Sequence, residues 1–383
     1  MSAPTSPKRG GGATLSFHRL LVEHAPDYLR RFDAAMPARV RQVLRRILRC
    51  RTPALGGQLL ACPECGTHHY RYHSCNDRHC PQCGDTDAAA WLQRHQRRLE
   101  LPVPFFLVTF TVPEALRRGM RRHPRRAYDA LMAASARALH DLARNPQRLG
   151  ARLGFLGVLH TWSRTLIHHP HVHFLVPGGG LSLDRQRWIA SRPGFLLAVH
   201  PLAERFRTLF RRELQRRAPE ALHTLPRSLW NQRWVVHSQP VGSGANALRY
   251  LSRYVFKTAT GNRRLLRGKD GRVRWDYRDS ATGKPGSIWL EPQELIRRFL
   301  QHVLPTGYTR VRWFGWLHPA QRAEFRRVRA CLDVSTPTAD PPDPETPKEP
   351  VARPLCPRCQ RELVLIGTWR AGQTPPGQAR APP

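Results

Sequence analysis

Apolar positions recur along this chain with two periods, one helical and one extended. Between residues 17 and 49 the spacing is helical: Leu20, Leu21, Tyr28, Leu29 and Phe32, then Val40, Val43, Leu44, Ile47 and Leu48. Residues 105–112, by their length and their content of β-branched side chains, predict a buried strand. A helix is expected over 127–142, with Leu131, Ala134, Ala138 and Leu142 on its apolar stripe, and a strand over 155–162. Further short strands are expected within 188–199, a basic helix over 203–217 and a strand over 233–238. A hairpin (272–277 with 287–290), a helix over 292–303 and a short strand over 309–314 follow.

Two segments depart from plain core patterning. In residues 169–180, Val172, Phe174 and Val176 point to one face of a strand, and His171 and His173 to the other. Two imidazoles two residues apart on one face can converge on one divalent ion, and the glycines at 178–180 end the strand. By itself this pattern also fits a half-exposed strand with incidental histidines. The second segment is a helix expected over 245–257. Leu248, Leu251 and Val255 make its core stripe, while Tyr250 and Tyr254, four apart, project together from the polar side. Asn246, Arg253 and Lys257 share that side.

Charge sharpens the picture. The chain has 383 residues, with 63 Lys plus Arg against 27 Asp plus Glu, a formal charge of +36. Arginine dominates, and its planar fork suits phosphate, so a polyanion is the expected partner. No run of about 18 apolar residues is present, so no membrane span is expected. The N-terminus lacks the apolar core of a signal peptide.

Nine cysteines include three Cys-x2-Cys pairs, a spacing that reads as metal binding in a reducing cytoplasm. Cys62, Cys65, Cys80 and Cys83 are expected to close one tetrahedral structural zinc site, with Gly66 and Gly84 serving the turns. Cys50, Cys75, His73 and His79 lie close enough in sequence to replace a ligand, to form a second site or to be structural only. Cys356 and Cys359 form a third knuckle with no evident partners. The expected division is a disordered 1–14, a helical plus zinc-binding domain over 15–100, a catalytic domain over 101–320, and a Pro-rich linker with a knuckle-bearing tail over 321–383. Residues 370–383 read as disordered.

The histidine pair and the tyrosine pair together can perform phosphoryl transfer. An ion on His171 and His173 polarises a phosphate oxygen, and Tyr250 or Tyr254 attacks phosphorus. The motif His171-Val172-His173 with Tyr250-x3-Tyr254 resembles the signature of two-tyrosine HUH endonucleases. The block Ser74 to Cys83 is similar to the zinc-binding domain of rolling-circle insertion-sequence transposases. Residues 109–113, 169–180 and 250–255 match phrases found in the same order in those proteins. The resemblance covers about residues 20 to 320. It implies an α+β fold: an HUH-like antiparallel sheet with flanking helices, the histidines on a central strand, behind a helical and zinc-ribbon-like N-terminal domain. It also implies a transposase that cleaves and rejoins single-stranded DNA at element ends through a 5′-phosphotyrosine, with Mg²⁺ or Mn²⁺ as catalytic ion, Zn²⁺ as structural ion, and Arg253 and Lys257 near the DNA. Related nucleases usually add a third metal ligand, for which His169 and Asn246 are the candidates here. A rolling-circle replication initiator shares this chemistry. A non-catalytic zinc-bearing DNA-binding regulator would explain the charge and the knuckles but leaves the tyrosine pair unused.

Overall fold

The computed structural model describes residues 15–84, 95–96, 98–223, 225–244, 246, 265–268, 270–279, 282–334 and 354–377. The segment with Tyr250, Arg253, Tyr254 and Lys257, the expected disordered 1–14 and most of the Pro-rich linker lie outside the described residues. The fold is α+β, with antiparallel sheets and packed helices.

The first helical pattern divides into α1 (Phe17–Phe32) and α2 (Ala38–Leu48), separated by a short 3₁₀ turn ending before Pro37. Ser16 starts α1 by accepting a hydrogen bond from the Arg19 backbone N–H. Strands β1 (Gly56–Ala61) and β2 (His68–Tyr72) form a hairpin. Strand β3 (Phe105–Thr111) opens the central sheet. Helices α3 (Leu116–Arg122) and α4 (Pro124–Arg144) follow, then the short β4 (Ala151–Arg152) and the two long strands β5 (Gly154–Trp162) and β6 (His168–Pro177). Strands β7 (Gly179–Ser182) and β8 (Trp188–Ala190) pair with β4 in a small sheet, and α5 (Val199–Arg217) precedes the edge strand β9 (Val236–Gly242). The chain then runs through β10 (Leu265–Arg267), β11 (Val273–Arg278), β12 (Pro285–Leu290), α6 (Pro292–Leu300), β13 (Val311–Gly315), α7 (Arg322–Cys331) and β14 (Val364–Arg370).

The central sheet has the order β13-β5-β6-β3-β9, with all neighbours antiparallel, so the histidine strand β6 sits in its middle. Alternation gives the sheet two different faces. Phe106, Val108, Phe110, Val172, Phe174, Phe155 and Leu159 point to one side and are covered by the apolar faces of α4 and α5. On the other side, Phe105, Leu107, Leu156, Val158 and Leu175 pack against Leu99, Trp316 and Leu317. That apolar cover ends partway along the strands, and the rest of the second face is polar: Thr109, Thr111, His160, His171 and His173.

Packing cuts across the expected domain boundaries at residues 100/101 and 320/321. Helices α1 and α2 share one core with β10–β12 and α6, through Phe17, Leu44, Trp275, Leu295 and Phe299. The tail is not disordered as far as residue 377: β14 pairs antiparallel with β1, Trp369 is buried against Gly57, and Tyr70 Oη donates to the Pro376 carbonyl at 2.8 Å. A three-stranded sheet of order β14-β1-β2 results. The expectation of a disordered tail rested on its glycine and proline content, which does not register the strand partner waiting about 300 residues away.

Gly315 marks where β13 turns under the sheet. Its φ is +57°, and a Cβ there would lie 1.8 Å from the Leu153 carbonyl oxygen, which cannot withdraw without breaking the strand pairing. Gly315→Ala is therefore expected to cost at least about 2 kcal/mol of stability, combining left-handed strain with a backbone clash. Gly194→Ala, where φ is +68° and nothing lies within 4 Å, is expected to cost about 1 kcal/mol, from strain alone. Denaturant unfolding of the two variants checks the difference.

Candidate active site

The geometry of the histidine site follows from strand register. His171 lies opposite His160 on β5 and opposite Thr111 on β3, and His173 lies opposite Val158 and Thr109. Facing residues of neighbouring antiparallel strands point to the same side. The ligand atoms of His160, His171 and His173 accordingly all lie within 4.8 Å of one another. Their ring centroids are 4.5 to 5.3 Å apart.

Hydrogen bonds decide which nitrogens face the centre. His171 Nδ1 donates to the His169 carbonyl at 2.6 Å, so its Nε2 keeps a lone pair. His173 Nδ1 bonds Thr109 Oγ1 at 2.9 Å, which likewise fixes the ring by its outer nitrogen. Trp162 stacks on His160, with ring centroids 5.1 Å apart and planes 17° from parallel, and the Arg310 guanidinium lies over the Trp162 ring at 5.7 Å. Burial, then the neighbouring imidazoles, hold His160 and His171 well below the ordinary imidazole value, and burial pushes His173 down to about 4. Neutral imidazole is the ligating form, so the donor set fits a divalent ion. Among the described residues no Asp or Glu joins the group.

His169, a candidate third ligand from the sequence, takes another role. Its Nδ1 accepts from Arg117 at 2.7 Å, and a guanidinium can only donate. The neutral ring must then carry its proton on Nε2, leaving no free lone pair. His160 stands where that third ligand is needed. Sequence reading placed it inside a strand over 155–162 without singling it out; a histidine directly after the apolar run Phe155 to Leu159 was the available signal. Asn246 is exposed.

After β9 the chain turns at Gly244, where a Cβ would lie 1.9 Å from the Leu99 carbonyl oxygen and 2.8 Å from the Phe105 ring. Phe105 and Leu99 belong to the second face of the sheet. Gly244 thus lies against the face of the sheet that carries the three histidines, and Tyr250 and Tyr254 lie outside the described residues.

The cysteines form two groups rather than the one expected. Cys62 and Cys65 meet Cys356 and Cys359, while Cys80 and Cys83 meet Cys50 and Cys75. The cause is the pairing of β14 with β1, which brings the C-terminal knuckle onto the first one. The turn holding Cys80 and Cys83 packs instead against the end of α2. Sulfur separations of 3.3 Å (Cys62–Cys359), 3.7 Å (Cys65–Cys356) and 3.6 Å (Cys75–Cys83) sit close to the roughly 3.8 Å spanned by two ligands of a tetrahedral zinc with Zn–S about 2.3 Å. In the second group a hydrogen bond from Cys80 pulls the Cys75 thiol down to about 5, whereas burial and the Cys75 thiolate push Cys83 up to about 12. Four thiolates side by side need a cation, and four soft sulfurs leave no open position for chemistry. Both groups fit structural zinc. Cys75, Cys356 and Cys359 are thereby ligand candidates. His79 is not in either group: it bonds Asp77 Oδ1 at 2.8 Å and accepts the Leu304 backbone N–H at 3.1 Å, tying the knuckle turn to the loop after α6.

No described helix is long and apolar enough to cross a membrane. A family model described as "Transposase zinc-binding domain" matches residues 20–112, and one described as "Putative transposase" matches residues 154–324. The first spans Cys50 to Cys83 and the second all three histidines, while Cys356 and Cys359 lie outside both. The chain is 36% identical over 386 residues to "Putative transposase y4qJ" of Sinorhizobium fredii (strain NBRC 101917 / NGR234), covering 91% of this chain and 96% of that one. It is 28% identical over 326 residues to "Transposase for insertion sequence element IS801" of Pseudomonas savastanoi pv. phaseolicola, covering 78% and 76%. No solved structure matches it. The match to nearly the whole length of one relative and the two domain matches agree: the chain belongs to the IS91-type insertion-sequence transposases, DNA-processing enzymes with an N-terminal zinc-binding domain.

Proposed function

We propose that this transposase cuts and rejoins single-stranded element ends through Tyr250 and Tyr254, beside a divalent ion held by His160, His171 and His173. The observation that carries the reading is the convergence of three neutral imidazoles on one face of the central sheet. The phenol oxygen attacks phosphorus, the bond to the 3′ oxygen breaks, and the 5′ phosphate stays on tyrosine. The phenol loses one proton and the 3′ oxygen gains one, so the step is neutral in protons. The phosphotyrosine retains the bond energy, and attack by a 3′ hydroxyl reseals the strand. Two tyrosines one helical turn apart allow two such exchanges in succession.

A bound divalent ion supplies Lewis-acid polarisation of the phosphate oxygen at this site. Its identity is narrowed by the donors: three nitrogens without a carboxylate suit Mn²⁺ better than Mg²⁺, which prefers oxygen. The His169 carbonyl and Thr109 hold the His171 and His173 rings, and Arg117 holds His169. Arg253 and Lys257, which the sequence pattern groups with the tyrosines, would offset charge on the phosphate. The arginine excess fits a phosphodiester substrate and predicts binding that weakens steeply with salt. The two cysteine groups take structural zinc and leave catalysis to the histidine face.

The test is incubation of the zinc-loaded protein with single-stranded element ends and Mn²⁺, followed by denaturing electrophoresis. Covalent protein–DNA product is expected, and it should vanish in the double variant Tyr250→Phe, Tyr254→Phe. Undiminished product in that variant rules the assignment out.

A further inference from the structure

A cleft of about 790 Å³ lies between the N-terminal helices and the catalytic sheet's helices, within the usual size range of small-ligand pockets. Its apolar wall is made by Tyr28, Phe32, Met36 and Val40 of the α1–α2 unit, and Tyr128 of α4 lies opposite. Arg39, Arg121, Arg122 and Arg297 line it as well. A second opening of about 520 Å³ continues from it, sharing Arg121, Arg297 and Gln301 and adding Arg117, Arg118 and Arg298. Arg117 reaches His169, whose ring centroid is 5.3 Å from that of His171. A predominantly basic track, with Glu114 the acidic residue in the second opening, therefore joins the cleft to the histidine site.

We propose that this track carries the single-stranded DNA away from the cleavage site and that the cleft receives one unstacked base. The proposal rests on the reading of single-stranded DNA as substrate. Charge argues for phosphate: Arg118, Arg121 and Arg122 have no acidic ion-pair partner among the described residues, although Glu294 engages Arg297 and Arg298, Glu114 engages Arg117, and Asp77 lies 3.6 Å from Arg39. The lining argues for a base: Phe32 is 40% exposed at the cleft, an aromatic surface that an unstacked base of a single strand covers by stacking. The cleft's two walls come from the zinc-bearing N-terminal segment and from the catalytic region, so a base held there would register the DNA to both.

The experiment uses the intact zinc-loaded protein and a single-stranded element end carrying 5-iodouracil at one position at a time, without divalent ion so that no cleavage occurs. Irradiation should crosslink one or two adjacent positions to the peptides that carry Tyr28 or Phe32. In parallel, Phe32→Ala and Arg122→Ala are each expected to weaken binding of the same oligonucleotide by roughly tenfold, and Arg122→Ala to lower the slope of affinity against salt by about one. Crosslinks that map elsewhere from every position, or unchanged affinity in both variants, overturn the proposal, and unchanged affinity would leave a protein partner as the occupant. A crosslink at Phe32 in a protein that forms no tyrosine adduct supports the cleft as a nucleic-acid site and counts against the cleavage reading alone.

Discussion

His160→Ala is expected to reduce single-strand cleavage by at least about a hundredfold, because a Lewis-acid contribution of several kcal/mol depends on the ion staying in place. The apparent affinity for Mn²⁺ should fall with it, and raised Mn²⁺ should recover part of the rate. The contrast with His169→Ala gives the experiment its meaning. His169 is closer to the recognisable motif, but its Nδ1 is occupied by Arg117. Its loss should weaken positioning of His171 and Arg117, with a rate effect on the order of tenfold and little change in Mn²⁺ affinity. The two variants are measured by initial cleavage rates across a Mn²⁺ titration. Equal metal dependence in both would remove His160 from the ligand set.

Cys356→Ser should release one of two bound zinc ions while the other, on Cys50, Cys75, Cys80 and Cys83, stays. A thiolate lost from a closed four-sulfur site leaves a three-ligand site of far lower affinity, and the folding energy supplied by the metal goes with it. The affected region is small and local. The β14-β1-β2 sheet depends on this site, with Leu60, Cys62, Cys356 and Leu363 as its compact core. The expected result is a fall from about two to about one zinc per chain in elemental analysis, with faster proteolysis after residue 354. A variant of Cys80 should instead disturb the core shared by α1, α2 and α6, and so lower the global melting temperature. If Cys356→Ser left the zinc content unchanged, the pairing of the first and last knuckles would be wrong.

The strand pattern of residues 105–112, 155–162 and 169–177 was readable because period-two alternation and β-branched runs are local properties. So was the face shared by His171 and His173. Its third member was not, because His160 acquires meaning only through the register of β5 against β6, which no local pattern states. The cysteine pairing failed for the same kind of reason. Two Cys-x2-Cys pairs with fourteen residues between them satisfy a zinc-ribbon spacing, yet ligand grouping depends on which elements meet. Here β14 reaches β1 from the far end of the chain and claims Cys62 and Cys65. The expected boundary near residue 100 was drawn where composition changes. The packing joins Phe17 to Phe299 with ring centroids 4.9 Å apart, a contact invisible to any linear division.

The central claim is that a tyrosine beside the three-histidine site carries the DNA, and peptide mapping of the covalent product tests it most directly. Tyr250 is flanked by Arg249 and Arg253, and Tyr254 by Arg253 and Lys257, so trypsin separates the two tyrosines into different tetrapeptides. After the DNA is trimmed to a single nucleotide, mass spectrometry should find the added nucleotide 5′ phosphate on the peptide 250–253 or on 254–257, and only when Mn²⁺ was present during the reaction. A nucleotide attached to any other residue, or adduct formed equally without divalent ion, would contradict the account.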